Sequence, residues 1–72
     1  MKPLGTFLKE KRKLAGLTQL EFAERAGIAL TVIRKIEQGK ENLNLEKVNH
    51  VLSMFGHSLV PVANKDIEKN QD

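Results

Sequence analysis

Residues 17–39 read LTQLEFAERAGIALTVIRKIEQG, and the spacing of a few small and polar residues within them leaves little freedom in how the chain can fold. Thr18 and Glu21 stand three apart, the spacing of a capping box, and Leu17 can staple onto Phe22, so a helix is expected to start at Gln19 with its entry angle set. Gly27 ends that helix after Ala26. Glycine reaches positive φ at little steric cost, which lets the chain turn at once and begin a second helix crossing the first steeply. Ala23 fits the same crossing, because a side chain larger than methyl would push the two helices apart. Ile28, Ile33 and Ile36 supply the apolar contacts that hold the angle.

The second helix has two distinct faces. On a 3.6-residue repeat Ile33 and Ile36 point inward with Val32 flanking, while Leu30, Thr31, Arg34, Lys35 and Gln38 point outward. Gln19, Ala23, Gly27, Ile33 and Ile36 together satisfy the size and polarity requirements of a helix-turn-helix. A plain helical hairpin packed in a core would not leave such an outer face. A recognition helix needs it, slim at its start to enter the major groove and carrying donors that reach base edges and phosphates.

The chain has 72 residues, enough for one domain with a small core, since a chain of this size buries only about 60% of its unfolded surface. Self-association is therefore expected. There is no cysteine, so neither disulfides nor thiolate ligands contribute, and the cytoplasm is the expected compartment. No apolar run of signal-peptide or membrane-spanning length occurs. The net charge of +3 is modest, but residues 1–16 carry five basic side chains against Glu10 alone, whereas the middle of the chain balances and the end is slightly acidic. The KEKRK run at residues 9–13 reads either as a solvated helix face or as a phosphate-facing one, through Lys9 and Lys13.

The expected organisation is an all-α domain of four to five helices over residues 1–62, followed by a flexible polar tail at 63–72. A first helix spans Leu4 to Ala15 with Leu4, Phe7, Leu8 and Leu14 at helical spacing, stopped by Gly16. Gly39 closes the third helix before a loop through Lys40, Glu41, Asn42 and Leu43. Asn44 caps a fourth, whose inward stripe is Leu45, Val48, Leu52 and Phe55 with Val51 beside it, and Gly56 sits where a C-terminal glycine belongs. Residues 57–62, HSLVPV, are apolar and β-branched without helical period and read as a short strand. With no partner strand in the chain, it either pairs with its equivalent in a second subunit across a twofold axis or packs extended on its own domain. In the first case Phe55, Ser58, Leu59, Val60 and Val62 form the dimer contact, and Pro61, lacking an N–H, occupies an edge or unbonded position.

Catalysis finds little support. His50 and His57 are seven apart around a glycine, no cysteine or carboxylate completes a metal set with them, and Ser53 has no base at useful spacing. Glu21 is committed to capping and Glu24 points outward. No phosphate loop or dinucleotide fingerprint is present, so no metal, cofactor or small-molecule ligand is expected.

Residues 8–56 resemble the lambda-repressor-like, XRE or Cro/C1-type helix-turn-helix proteins. The carriers are the Arg12 to Leu17 approach, LTQ at 17–19, AGI at 26–28 and IEQGK at 36–40. Within that family the length, the GKENLNLEKVNHVL stretch and the terminal strand are most similar to the HipB-type antitoxins that partner HipA-type serine/threonine kinase toxins. The resemblance implies that Gln19 donates to a phosphate and that Leu30, Thr31, Arg34 and Lys35 read bases. It also implies that Lys40 and Asn42 hold phosphates and that Arg12 pairs with Glu37 in a structural role. One departure is Ala29, where the family carries a serine or threonine cap. The function so expected is a homodimeric repressor of a palindromic operator, serving as the antitoxin of a kinase toxin. A free-standing or phage-type regulator and a protein-binding adaptor are the alternatives.

Overall fold

A computed structural model describes residues 2–69. Five helices follow one another: α1 (Lys2–Leu14), α2 (Gln19–Ala26), α3 (Leu30–Glu37), α4 (Leu45–Ser53) and α5 (Asn64–Lys69). Among the described residues there is no strand. α2 runs between the bounds that its capping box and glycine predict. α1 begins and ends a little earlier than the Leu4 to Ala15 expected, and α4 stops at Ser53 with Met54 as its cap. Asn44 caps α4 by accepting a hydrogen bond from the Lys47 N–H at 3.1 Å.

The core gathers Leu4 and Leu8 of α1, Phe22 and Ala23 of α2, Ile33 and Ile36 of α3, and Val48, Val51 and Leu52 of α4. α3 is the centrepiece, packed against both α1 and α2. Ile33 and Ile36 are fully buried, each such side chain contributing about 1.5 to 3 kcal/mol by leaving water. Phe22 stacks on Phe55 with ring centroids 5.3 Å apart, so Phe55 is bound into its own domain. Gly5 is buried where α1 meets α3. A Cβ there would lie 2.6 Å from the Ile36 carbonyl oxygen and 3.0 Å from that of Glu37, so only glycine allows the two backbones to approach this closely.

Three expectations are corrected. Leu14 is 83% exposed: the buried stripe of α1 runs Leu4, Leu8, Arg12, and Leu14, about 200° further round a 3.6-residue helix, falls on the opposite side. Leu45, in the first turn of α4, is also exposed, the inward stripe beginning one turn later at Val48. Finally, the stretch at 63–72 expected as a flexible polar tail contains α5, opened by an Asp66 N–H bond to the Ala63 carbonyl at 2.9 Å, with 70–72 lying outside the described residues. Residues 57–63 form neither helix nor strand within the single chain.

Candidate nucleic-acid interface

The candidate interface is assembled from one local start signal and one local stop signal. At the start of α2 the Thr18 hydroxyl accepts from the Glu21 N–H at 3.1 Å, and the Glu21 carboxylate accepts from the Thr18 N–H at 2.9 Å. Hydrogen bonds from the Thr18 backbone and then its side chain, with Arg25 nearby, hold the Glu21 carboxyl below the usual carboxylate range. At the other end Gly27 takes φ 67°, ψ 31°, and the Ile28 N–H reaches back to the Ala23 carbonyl at 3.1 Å, a Schellman closure. Three residues later α3 begins.

Thr31, Arg34 and Gln38 are exposed on the outer face of α3. The side chains of Thr31 and Arg34 make no hydrogen bond or ion pair to any described residue. Lys35 is half-buried and its Nζ lies 3.5 Å from the Asn42 carbonyl oxygen. Leu30, expected on the reading face, is half-buried and packs partly against the core. Ala29 takes an extended N-cap conformation, φ −61° and ψ 140°, without a side-chain hydrogen bond. The first N–H groups of α3 are thus left without a side-chain cap.

Behind this face lies a three-residue polar network. Arg12 Nε meets Glu37 Oε2 at 2.7 Å, its second terminal nitrogen meets Oε1 at 3.0 Å, and the remaining terminal nitrogen donates to the Leu17 carbonyl at 2.8 Å. The side chains are only 10% and 5% exposed. Gln19 Nε2 donates to the same Glu37 Oε1 at 3.1 Å. Burial pushes the Glu37 carboxyl up, but the hydrogen bonds from Arg12 and Gln19 and the charges of Arg12 and Lys9 outweigh it, so the group lies below its ordinary value. The bond to Glu37 likewise raises the Arg12 guanidinium. One of the two Gln19 amide protons is committed here, leaving the other for a ligand.

Basic side chains flank α3 from both directions. Lys9 and Lys13 are exposed on α1 and line a shallow groove with Glu37 and Gln38 at the end of α3. Lys40 and Asn42 are exposed in the loop that follows.

Residues 8–58 match the helix-turn-helix family. The chain is a helix-turn-helix protein. Its DNA-binding domain is of the XRE, lambda-repressor-like type. The helix-turn-helix chain is also 32% identical over 63 residues to the "Antitoxin PezA" of Streptococcus pneumoniae serotype 4 (strain ATCC BAA-334 / TIGR4), a match covering 88% of this chain. It spans only 40% of that relative's length.

The residues expected to make a dimer contact are divided by the helix-turn-helix fold. Phe55 and Leu59 pack against the protein's own core, whereas Ser58, Val60 and Val62 are exposed. Two side chains with positioning roles escaped sequence reasoning. Asn49 accepts the Leu59 N–H through Oδ1 at 2.8 Å, and His50 places Nε2 2.7 Å from the Ala26 carbonyl oxygen at the end of α2. Neither carries a short-range signal, since each acts on a distant part of the chain. No described helix is long and apolar enough to cross a membrane.

Proposed function

We propose that this helix-turn-helix protein is a sequence-specific transcriptional repressor, a cytoplasmic homodimer that sets its two α3 helices into successive major grooves of a palindromic operator about 34 Å apart. The observation that carries the reading is the outer face of α3, where the side chains of Thr31 and Arg34 stand exposed with no partner among the described residues. Arg34 is suited to bidentate contact with a guanine and Thr31 to a hydroxyl or methyl contact, with Lys35 beside them. Lys9 and Lys13 on one side, Lys40 and Asn42 on the other, and the free Gln19 proton neutralise or bond phosphates. Leu30, half-turned to the core, adds at most an apolar edge near a thymine methyl.

The protein is further proposed to be an antitoxin that represses its own operon and holds a toxin in the same complex. The likeness to a protein named antitoxin supports this. On the resemblance to HipB-type antitoxins, the toxin is proposed to be a HipA-type kinase. The homodimer is proposed to form through residues 57–62.

The test is a titration of the purified protein against the DNA upstream of its own gene at several salt concentrations, beside Arg34→Ala. Specific, salt-dependent binding is expected, with Arg34→Ala losing about 1 to 3 kcal/mol at one base position. Equal affinity for random DNA would overturn the repressor reading. For the antitoxin role, co-purification from the native cell should recover a kinase-like protein encoded by the adjacent gene, and its absence there would overturn that part alone.

A further inference from the structure

We infer that residues 58–62 pair with a second copy of this chain in one register, antiparallel and centred on Val60, with Asn49 acting as the latch that leaves only this edge open. The inference rests on the homodimer proposed above and specifies its geometry.

Along an extended segment successive N–H groups point to opposite edges. Leu59 and Pro61 therefore share one edge. On that edge the Leu59 N–H is taken by Asn49 Oδ1 at 2.8 Å, and Pro61 has no N–H to offer. The edge is closed. Ser58, Val60 and Val62 share the other, and their N–H groups make no hydrogen bond to any described residue. Pro61 also restrains Val60 to extended backbone. The side chains agree with this division: Leu59 packs into a groove with Pro3, Leu4, Phe7, Leu52 and His57, whereas Val60 and Val62 are 69% and 51% exposed.

An open edge with donors at every second residue is complementary to itself about a twofold axis. Centring the pair on Val60 sets Val60 against Val60 and Ser58 against Val62, each pair exchanging two N–H···O bonds. Pro61 then falls opposite Leu59 at an unbonded position, where neither N–H is called upon. Moving the centre to Leu59 would set Val62 against Gly56, whose N–H already donates to the Ser53 carbonyl at 3.0 Å. Moving it to Pro61 would set Ser58 against Asn64, the first residue of α5. Only the Val60 centre pairs the three residues with free donors among themselves. A second copy is the occupant because it alone brings the matching gap at its own Pro61.

The chain's lack of cysteine makes the register directly measurable in the full-length protein. Val60→Cys is expected to form an intersubunit disulfide rapidly on mild oxidation, since bonded partners lie about 5.5 Å apart between Cα atoms, within the window a disulfide spans. Ser58→Cys and Val62→Cys alone should not link, but an equimolar mixture of the two should. Rapid linking of Leu59→Cys or Pro61→Cys instead, with the parent protein dimeric by sedimentation, would overturn the register and leave the homodimer standing. A parent protein that sediments as a monomer at about 100 µM would overturn both. The latch has its own readout: Asn49→Leu should raise the dimer dissociation constant about tenfold, as loss of one hydrogen bond predicts. Asn49→Asp, which keeps the oxygen, should restore it, and equal weakening by both would remove Asn49 from the mechanism.

Discussion

The Gln19 amide and the Glu37 carboxylate meet at 3.1 Å, Nε2 to Oε1, joining the first residue of α2 to the last residue of α3. The same oxygen accepts Arg12 of α1 at 3.0 Å, so one carboxylate connects the three helices that set the attitude of the outer face of α3. Arg12→Met leaves that carboxylate buried with a single neutral donor. The expected cost is about 3 kcal/mol, as for breaking other buried pairs from one side, against about 1 kcal/mol for Gln19→Ala. Urea denaturation of the two variants measures both, and equal losses would contradict the ranking.

Acid should weaken the fold through the same group. Glu37 is held below its ordinary value of 4.5, so its contribution is present above that value and is lost as pH falls through the lower folded value. Glu21 acts in the same direction. The wild-type urea midpoint should therefore drop between about pH 5 and pH 3, and Glu37→Gln should flatten that dependence while lowering stability at pH 7. An unchanged slope in the variant would assign the acid sensitivity elsewhere.

Gly5→Ala separates propensity from packing. Alanine is favoured in a helix interior by about 1 kcal/mol, yet its methyl would lie 2.6 Å from the Ile36 carbonyl oxygen. The clash should win, with a net loss of about 1 to 3 kcal/mol, the range of overpacked cores. A raised thermal midpoint would show that α1 can move away from α3 at little cost.

Ala29→Ser should act oppositely. The N-cap backbone of α3 is already extended, so a serine hydroxyl can accept an N–H of the first turn and add about 1 kcal/mol. Thermal denaturation reads the gain. A serine variant no more stable than the parent would mean that the first turn of α3 is already satisfied.

The sequence was most informative where cause and effect lie within four residues. The bounds of α2, its capping box, the turn at Gly27 and the inward side of α3 all follow from near neighbours. What depends on distant neighbours could not be read in the same way. Gly5 carries no local signal, because its reason is a backbone from a different helix. Leu14 looked apolar and periodic, but the place on the stripe belongs to Arg12, whose charge is matched by Glu37 twenty-five residues on. Phe55 shows that an aromatic near the end of a domain is as ready to fill its own core as to wait for a partner.

The notch at Gly5 has a mechanical meaning. Where a long side chain separates two helices, rotamer changes let them ride apart or together by fractions of an ångström; here backbone rests on backbone, and no such cushion exists. The height of α3 above α1 is a fixed gauge. In the proposed complex, a DNA site whose groove is wider or narrower than that gauge has to flex to meet the protein, so base pairs that no side chain touches can still influence how tightly the site is held.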